Sequence, residues 1–216
     1  MFMNFGSNLG NVLTRFLFSW VTFMKELEKK ILEEGHVYPG GVLKVDSFLN
    51  HQLDTMFIMK MGAYIADEFS AYGVTKVLTV EASGIALAMA VAYKLVVPVV
   101  FAKKQKTSNM SDDYYAAQVH SFTHNTENTV IISREYIQKN DVVLIVDDFL
   151  AEGNAMKGLL QIAQKAGSKV AGCSAAIEKG FQGGGDALRH AGIHVLSLAI
   201  IDNMDNGILT FRDNCD

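Results

Sequence analysis

Cysteine is scarce in this sequence, with two residues, Cys173 and Cys215, in a chain of 216. Two cysteines cannot form the set of disulfides that supports small secreted proteins, so we expect a reducing, cytoplasmic environment. The chain is half apolar and long enough to bury one sizeable core. We therefore expect one domain.

The chain also lacks a large excess of positive or negative charge. The formal net charge is −4, and the chain has no long run of lysine and arginine. Broad nucleic-acid binding depends on neutralising many phosphates, so we expect no nucleic-acid partner. A small anionic substrate would need only a local positive site. The six histidines lack the spacing to cysteines or carboxylates that metal sites have, and we predict no protein-bound metal.

Long hydrophobic runs are missing as well. Residues 1–23 carry one charge, Arg15, and end in a short apolar run over residues 16–23. A membrane span needs roughly 20 apolar residues, and a secretory signal needs a basic start and a small-residue cleavage site. We predict no membrane association and interpret residues 1–23 as an N-terminal extension outside a domain at 24–216. A membrane or partner anchor is the alternative.

Apolar periodicity predicts helices and strands in alternation. Helices are predicted over residues 25–34, 54–72, 84–95, 154–166 and 186–191. Strands are predicted over residues 76–80, 98–101, 118–122, 128–133, 142–146, 169–177, 193–201 and 208–211. Residues 103–113 have no apolar period and predict a long loop. The alternation is typical of an α/β fold, with a mostly parallel sheet flanked by helices and ligands at the carboxyl ends of the strands.

The run over residues 143–155 carries the chemistry. A strand with many β-branched residues leads to Asp147 and Asp148, and a turn of small residues then opens a helix. Carboxylates can accept hydrogen bonds from vicinal hydroxyls and stabilise positive charge at a sugar carbon, and a helix N-terminus favours phosphate. The pattern predicts a site for a phosphorylated sugar, although an ordinary helix cap has the same appearance.

This run resembles the motif with which type I phosphoribosyltransferases bind 5-phosphoribosyl-1-pyrophosphate (PRPP). The resemblance implies the type I fold, with a small N-terminal hood and a flexible lid loop. It also implies that Asp147 and Asp148 are catalytic and hold the ribose hydroxyls. The 5-phosphate would be wrapped by Ala151, Glu152, Gly153, Asn154 and Ala155. The usual pattern has threonine at 152 and glycine at 154, so we assign the phosphate contact mainly to backbone N–H groups.

Two further segments resemble parts of that family. Residues 81–84 resemble the loop that holds the pyrophosphate end, which implies roles for Ser83 and Gly84, although a plain helix cap would look similar. Residues 103–108 resemble the basic lid and imply a role for Lys104; a solvated charged run is the alternative. Mg²⁺ is implied as an ion chelated by the substrate's own oxygens.

The acceptor base is expected at the end of the next strand and under the hood. Lys179 ends a predicted strand, where its ammonium could donate to an exocyclic oxo group of a purine, which adenine lacks. Phe149 is a candidate to stack on the base. Both residues also have ordinary explanations, as a solvated lysine and a core phenylalanine.

Residues 42–52, 99–104, 146–151 and 177–179 together resemble the bacterial xanthine phosphoribosyltransferases, from residue 24 to the C-terminus. The resemblance implies that xanthine is held by Leu43, Asn50 and Lys179, and that the protein is a homodimer. The alternative makes Leu43 a core residue and Asn50 a turn or cap. Ala151 stands where related hypoxanthine-guanine enzymes carry an acid, which fits a more acidic purine.

The expected reaction is the transfer of a phosphoribosyl group from PRPP to xanthine, giving xanthosine 5′-monophosphate and pyrophosphate in purine salvage. One alternative is a guanine or hypoxanthine transferase. Another is a PRPP-sensing transcription regulator, which would need a DNA-binding module. A receiver domain also has an acidic strand end, but near its N-terminus, whereas here about two thirds of the chain precedes Asp147.

Overall fold

A computed structural model of the chain describes residues 23–105, 113–121 and 126–212. The helices are α1 (23–34), α2 (Thr55–Glu68), α3 (Gly84–Leu95), α4 (Asn154–Ala166) and α5 (Gly184–His190). The strands are β1 (His36–Tyr38), β2 (Val42–Lys44), β3 (Lys76–Val80), β4 (Val99–Ala102), β5 (Tyr114–Ser121), β6 (Thr126–Ser133), β7 (Val142–Leu150), β8 (Lys169–Lys179), β9 (Val195–Asn203) and β10 (Thr210–Phe211).

The central sheet has six strands in the order β10-β9-β8-β7-β3-β4. The pairs from β9 to β4 are parallel, and only the edge strand β10 is antiparallel to its neighbour. The predicted α/β fold with a mostly parallel sheet is confirmed. The carboxyl ends of β3, β7 and β8 therefore meet at one edge of the sheet, where ligands bind in such folds.

Strand β7 is buried on both faces, as its apolar run predicts. Val143 and Ile145 belong to a core cluster shared with α4, while Leu144 and Val146 belong to a second cluster shared with α2 and α3. Successive side chains of a strand point to opposite faces, so one run supplies both cores. This packing fixes the position of the residues that follow Val146.

Two antiparallel hairpins lie beside the central sheet. The β1–β2 hairpin pairs His36 with Lys44, and the β5–β6 hairpin pairs Tyr114 with Ser133. The β5–β6 hairpin packs on α4, where a Cβ at Gly158 would lie 2.5 Å from a methyl of Val119. The predicted antiparallel pair over 118–122 and 128–133 is confirmed with longer strands, and Phe122 lies outside the described residues.

Several boundaries differ from the prediction. Helix α2 ends at Glu68 rather than residue 72, because a 3₁₀ turn over Ser70–Tyr72 and Gly73 at φ 66° follow it. Strand β7 runs on to Leu150, so Asp147 and Asp148 lie within the strand and not after it. The cause is continued pairing with β8, where Phe149 faces Ile177 and Leu150 faces Glu178.

The start of the domain is set by α1. Phe23 is 3% exposed and stacks on Tyr64, with ring centroids 4.3 Å apart. Phe23 thus belongs to the core, one residue before the predicted boundary. The interpretation of the preceding residues as an extension stays a prediction, because residues 1–22 lie outside the described ones. Among the described helices, none has the length and apolar character needed to cross a membrane.

Candidate active site

A cleft of about 420 Å³ opens at the carboxyl ends of the central strands. This volume is in the range of sites for small ligands. Its wall is formed by Gly40, Gly41, Val42, Val80, Lys104, Val119, Val130, Asp147, Phe149, Leu150, Ala151, Glu152, Gly153, Asn154, Ala155, Met156, Lys179 and Gln182. The turn at Gly40 and Gly41 between β1 and β2, which we call the hood turn, therefore faces the same space as the β5–β6 hairpin and the start of α4.

The segment over residues 151–155, which we call the phosphate loop, forms one end of this cleft. Gly153 has φ 77° and precedes α4, a conformation that glycine adopts without strain. The first N–H groups of α4 have no acceptor within the helix and carry its positive dipole end. The side chains of Glu152 and Asn154 contact each other at 3.4 Å. The loop can thus bind an anion through its backbone.

Asp148 is the centre of a hydrogen-bonded cluster. Its carboxylate is 5% exposed and accepts from Asn50 Nδ2 at 2.8 Å and from Ser83 Oγ at 2.9 Å. Sequence reasoning assigned these three residues to the ribose, the base and the pyrophosphate, respectively. The structure joins them across 98 positions of the chain. Asp148 is therefore held in one orientation from two sides.

Asp147 lies on the cleft wall and is half-buried. Burial, followed by the neighbouring charge of Asp148, raises the pKa of Asp147 well above its usual range, and the positive charge of Lys104 opposes this shift. The two acids thus differ in role, since Asp147 faces the ligand space while Asp148 is tied to protein groups.

The residues predicted for the pyrophosphate end come close to these acids. Gly84 is buried at the start of α3, where a Cβ would overlap the Thr79 hydroxyl and lie 2.6 Å from Asp147 Oδ1. Lys104 lines the cleft, and its backbone N–H donates to Glu81 Oε1 at 2.7 Å. The rest of the predicted lid, residues 106–108, lies outside the described residues.

Lys179 and Phe149 form another part of the cleft wall. The Lys179 ammonium donates to the Gly41 carbonyl at 2.8 Å and lies 5.5 Å from the centroid of the Phe149 ring. Burial lowers the pKa of Lys179. A cation above an aromatic ring, with one of its donors held by the hood, can present its remaining donors to a planar ligand.

Leu43 and Asn50 are placed differently from Lys179. Leu43 is 6% exposed and packs in the core, so only its backbone is left for a ligand contact. The Asn50 amide is engaged by Asp148. Neither of the two residues lines the cleft. A direct contact of either one with xanthine stays a prediction.

Sequence reasoning missed the hood turn and Gln182, which line the cleft. Gly40 and Gly41 both have positive φ, at 84° and 72°, and they follow Pro39 between two short β-rich runs, which is a turn signal in the sequence. Nothing in the sequence pointed to Gln182. Within the described ranges, no group of three or more histidine, cysteine, aspartate or glutamate side chains could hold a metal ion.

Comparison with known sequences adds a second line of support. The Phosphoribosyl transferase domain family matches residues 45–186. A xanthine phosphoribosyltransferase from Bifidobacterium adolescentis is 51% identical over 192 residues, covering 88% of this chain and all of the relative. Those from Heliobacterium modesticaldum and Bacillus cereus are 51% and 48% identical over 188 residues, covering 87% of this chain and 100% and 95% of the relatives.

Solved structures support the fold. An adenine phosphoribosyltransferase from Rhodothermus marinus has a TM-score of 0.67 at 21% identity, covering 83% of this chain and 98% of that one. The adenine enzyme from Trypanosoma brucei also has a TM-score of 0.67, at 18% identity, covering 81% and 78%. At this identity the likeness concerns the fold alone, and it confirms the fold class expected from the motif.

Proposed function

Because the chain belongs to the Phosphoribosyl transferase domain family, we infer that it transfers the phosphoribosyl group of PRPP to xanthine, giving xanthosine 5′-monophosphate and pyrophosphate. The base follows from relatives of about 50% identity over nearly the whole chain. The structural observation that carries the proposal is the single cleft joining the phosphate loop, Asp147 and Lys179. The protein is thus an enzyme of the pentosyltransferase class that acts in purine salvage.

The proposed chemistry exchanges one bond at the anomeric carbon. The bond from that carbon to pyrophosphate breaks, a bond to a ring nitrogen of xanthine forms, and the proton of that nitrogen passes to the solvent. Asp147 would accept hydrogen bonds from the ribose hydroxyls and stabilise positive charge on the sugar. Asp148 would fix the geometry through Asn50 and Ser83. Exclusion of water from the charged transition state is the task that the family resemblance assigns to the lid over residues 103–108.

We propose that Mg²⁺ enters as part of the substrate. The pyrophosphate and ribose oxygens of PRPP are hard ligands of the kind that Mg²⁺ prefers, and the ion keeps several waters. Lys104, with Ser83 and Gly84 at the start of α3, would receive the leaving pyrophosphate. The 5-phosphate would lie on the phosphate loop, at the other side of Asp147.

We propose that the Lys179 side chain recognises the purine. Its ammonium can donate to an oxo group, and the Phe149 ring beside it offers a surface for stacking. Because residue 151 is alanine, this position supplies no acidic side chain beside the base. That suits xanthine, because this purine loses a proton readily. Guanine and hypoxanthine also carry an oxo group, so Lys179 alone does not distinguish them.

A base-competition assay tests the proposal. The protein is mixed with PRPP and Mg²⁺, and xanthine, guanine, hypoxanthine and adenine are offered separately while nucleotide formation is measured. We expect the highest kcat/KM with xanthine and none with adenine. A higher kcat/KM with guanine or hypoxanthine would contradict the assignment of the base, and no product from any base would favour a PRPP-sensing regulator.

We also propose a homodimer. Met89, Tyr93 and Val96 follow each other at helical spacing along α3 and its end, with 59%, 75% and 88% exposure, and Phe101 on the edge strand β4 is 41% exposed. An exposed apolar stripe of this kind favours association. Tyr93→Glu should give the monomer mass in light scattering, while Tyr136→Glu, at another exposed tyrosine, should not. A monomeric parent protein would contradict the proposal.

A reducing, cytoplasmic compartment is the proposed location. Cys173 is a free thiol in the core, and burial raises its pKa to about 12. Such a thiol does not readily form a disulfide, because the thiolate is the reactive species. Cys215 lies outside the described residues.

A further inference from the structure

An ion pair with one fully buried partner lies at the carboxyl end of β8. Glu178 is fully buried, and both of its carboxylate oxygens accept from the Arg189 guanidinium, at 2.9 Å and 2.7 Å. Ser197 Oγ donates to the same carboxylate at 2.5 Å. A two-bond arginine-carboxylate contact is strong and fixed in direction. The proposed chemistry assigns no task to this pair.

The pair holds α5 against β8 along the length of the helix. Arg189 is in the last turn of α5, and Gly185 is in its first turn. A Cβ at Gly185 would overlap the Glu178 carboxylate, so the helix backbone itself lies on this side chain. Glu178 thus contacts α5 at both ends, by close packing at the start and by charge at the end.

The first turn of α5 in turn touches the phosphate loop. The Gly184 N–H donates to the Ala151 carbonyl at 3.1 Å. A Cβ at Gly184 would overlap that carbonyl oxygen and lie 2.6 Å from Gly153 N. The peptide groups at Ala151 and Gly153 therefore rest directly on the start of α5, and any shift of α5 is passed to them.

We propose that Glu178 is a positioning residue for the 5-phosphate of PRPP. It fixes α5 through Arg189, and α5 fixes the peptide groups of the phosphate loop, whose N–H groups bind the phosphate. The proposal rests on the assignment of that loop under the proposed function. A buried ion pair is weak support for stability, since apolar replacements are often as stable, and a geometric role accounts for its place under the loop.

Binding of ribose 5-phosphate tests the proposal without the transfer reaction. Glu178→Gln keeps the shape of the side chain but removes the charged two-bond contact with Arg189, which keeps only its 3.2 Å contact to Asp186 on the same helix. We expect the Kd for ribose 5-phosphate and the KM for PRPP to rise on the order of tenfold, because small displacements of binding groups have large effects. The KM for xanthine at saturating PRPP should change much less. Titration calorimetry and steady-state kinetics provide these values.

A matched control separates positioning from stability. Lys76 and Asp141 form a largely buried ion pair of 2.9 Å at the amino ends of β3 and β7, remote from the cleft. Asp141→Asn should lower the Tm without changing the Kd for ribose 5-phosphate. If Glu178→Gln lowers the Tm in the same way and leaves that Kd unchanged, the positioning role is wrong.

Two more variants test the positioning role if Glu178→Gln does not fold. Gly184→Ala leaves the ion pair intact and displaces the phosphate loop, and Arg189→Lys keeps the charge but loses the two-bond contact. Both should weaken ribose 5-phosphate binding, and unchanged binding in both would overturn the inference. If the parent protein binds no ribose 5-phosphate and forms no nucleotide, the proposed function is wrong. The positioning role of Glu178 depends on that function and is then wrong as well.

Discussion

The proposed phosphate site and the proposed base site, which we call the phosphate end and the base end of the cleft, are built in different ways. The phosphate end is one continuous segment, residues 151–155, that follows β7 and rests on α5. The base end is assembled from three separate segments that contribute Gly41, Phe149 and Lys179. At the base end, the hydrogen bond from Lys179 to Gly41 links the hood to β8. One end is thus fixed by local backbone structure and the other by long-range contacts.

Under the proposed function, this difference separates the donor site from the acceptor site. Backbone N–H groups at a helix start can bind a phosphate without side-chain contacts, which is compatible with Glu152 and Asn154 in place of the usual residues. The proposed recognition of the base would depend on side chains that reach the cleft from distant segments. The Asp148 carboxylate connects Asn50 with Ser83.

The largest expected effect follows from breaking that connection. Asp148→Asn can no longer accept from Asn50 and Ser83 with a charged carboxylate, and each such bond contributes about 1.5–3 kcal/mol. We expect kcat to fall on the order of 100-fold or more. The KM for xanthine should change far less. Steady-state kinetics with both substrates check this, and unchanged turnover would remove Asp148 from the mechanism.

The next largest effect concerns the base end alone. Lys179→Met removes the donor to the purine and the hydrogen bond to Gly41, so kcat/KM for xanthine should fall by about 10- to 100-fold. The Kd for ribose 5-phosphate should stay as in the parent protein. Lys179→Arg is the control, since it keeps the positive charge and should lose less. A matching loss of ribose 5-phosphate binding would show that the two ends are not independent.

Two glycines with the same strain test the phosphate end. Gly153 and Gly40 have φ 77° and 84°, so alanine at either position costs about 1–2 kcal/mol of backbone strain. A Cβ at Gly40 meets nothing within 4 Å, whereas one at Gly153 lies 3.4 Å from Leu150. We expect Gly153→Ala to raise the KM for PRPP about tenfold. Gly40→Ala should lower the Tm equally and leave that KM unchanged. Equal effects of the two variants on the KM for PRPP would contradict the separation of the phosphate end from the base end.

The sequence predicted features that are formed by contiguous residues better than features that depend on long-range contacts. The phosphate loop and the acids are contiguous, so strand pattern, small-residue turn and resemblance all pointed to residues 143–155. The helices α3 and α4 were predicted with their observed bounds, since their apolar period and their ends agree. Gln182 and the pair of Glu178 with Arg189 were not predicted, because their role depends on which strands are neighbours. Tertiary contacts, absent from any local pattern, also place Leu43 in the core.

The smallest expected effect is a pH dependence at Asp147. Because the pKa of Asp147 is raised, this carboxyl keeps its proton to a higher pH than an ordinary aspartate, and only its charged form is a full acceptor for ribose hydroxyls. The kcat/KM for PRPP should therefore rise as pH rises through the Asp147 pKa and fall below it. Asp147→Asn should lack this acid limb, and PRPP's own titration is present in both proteins.

Since the charge of Lys104 lowers the pKa of Asp147, Lys104→Gln should move the limb to higher pH. An acid limb that is identical in all three proteins would mean that Asp147 does not titrate in this range, and would assign the limb to the substrate.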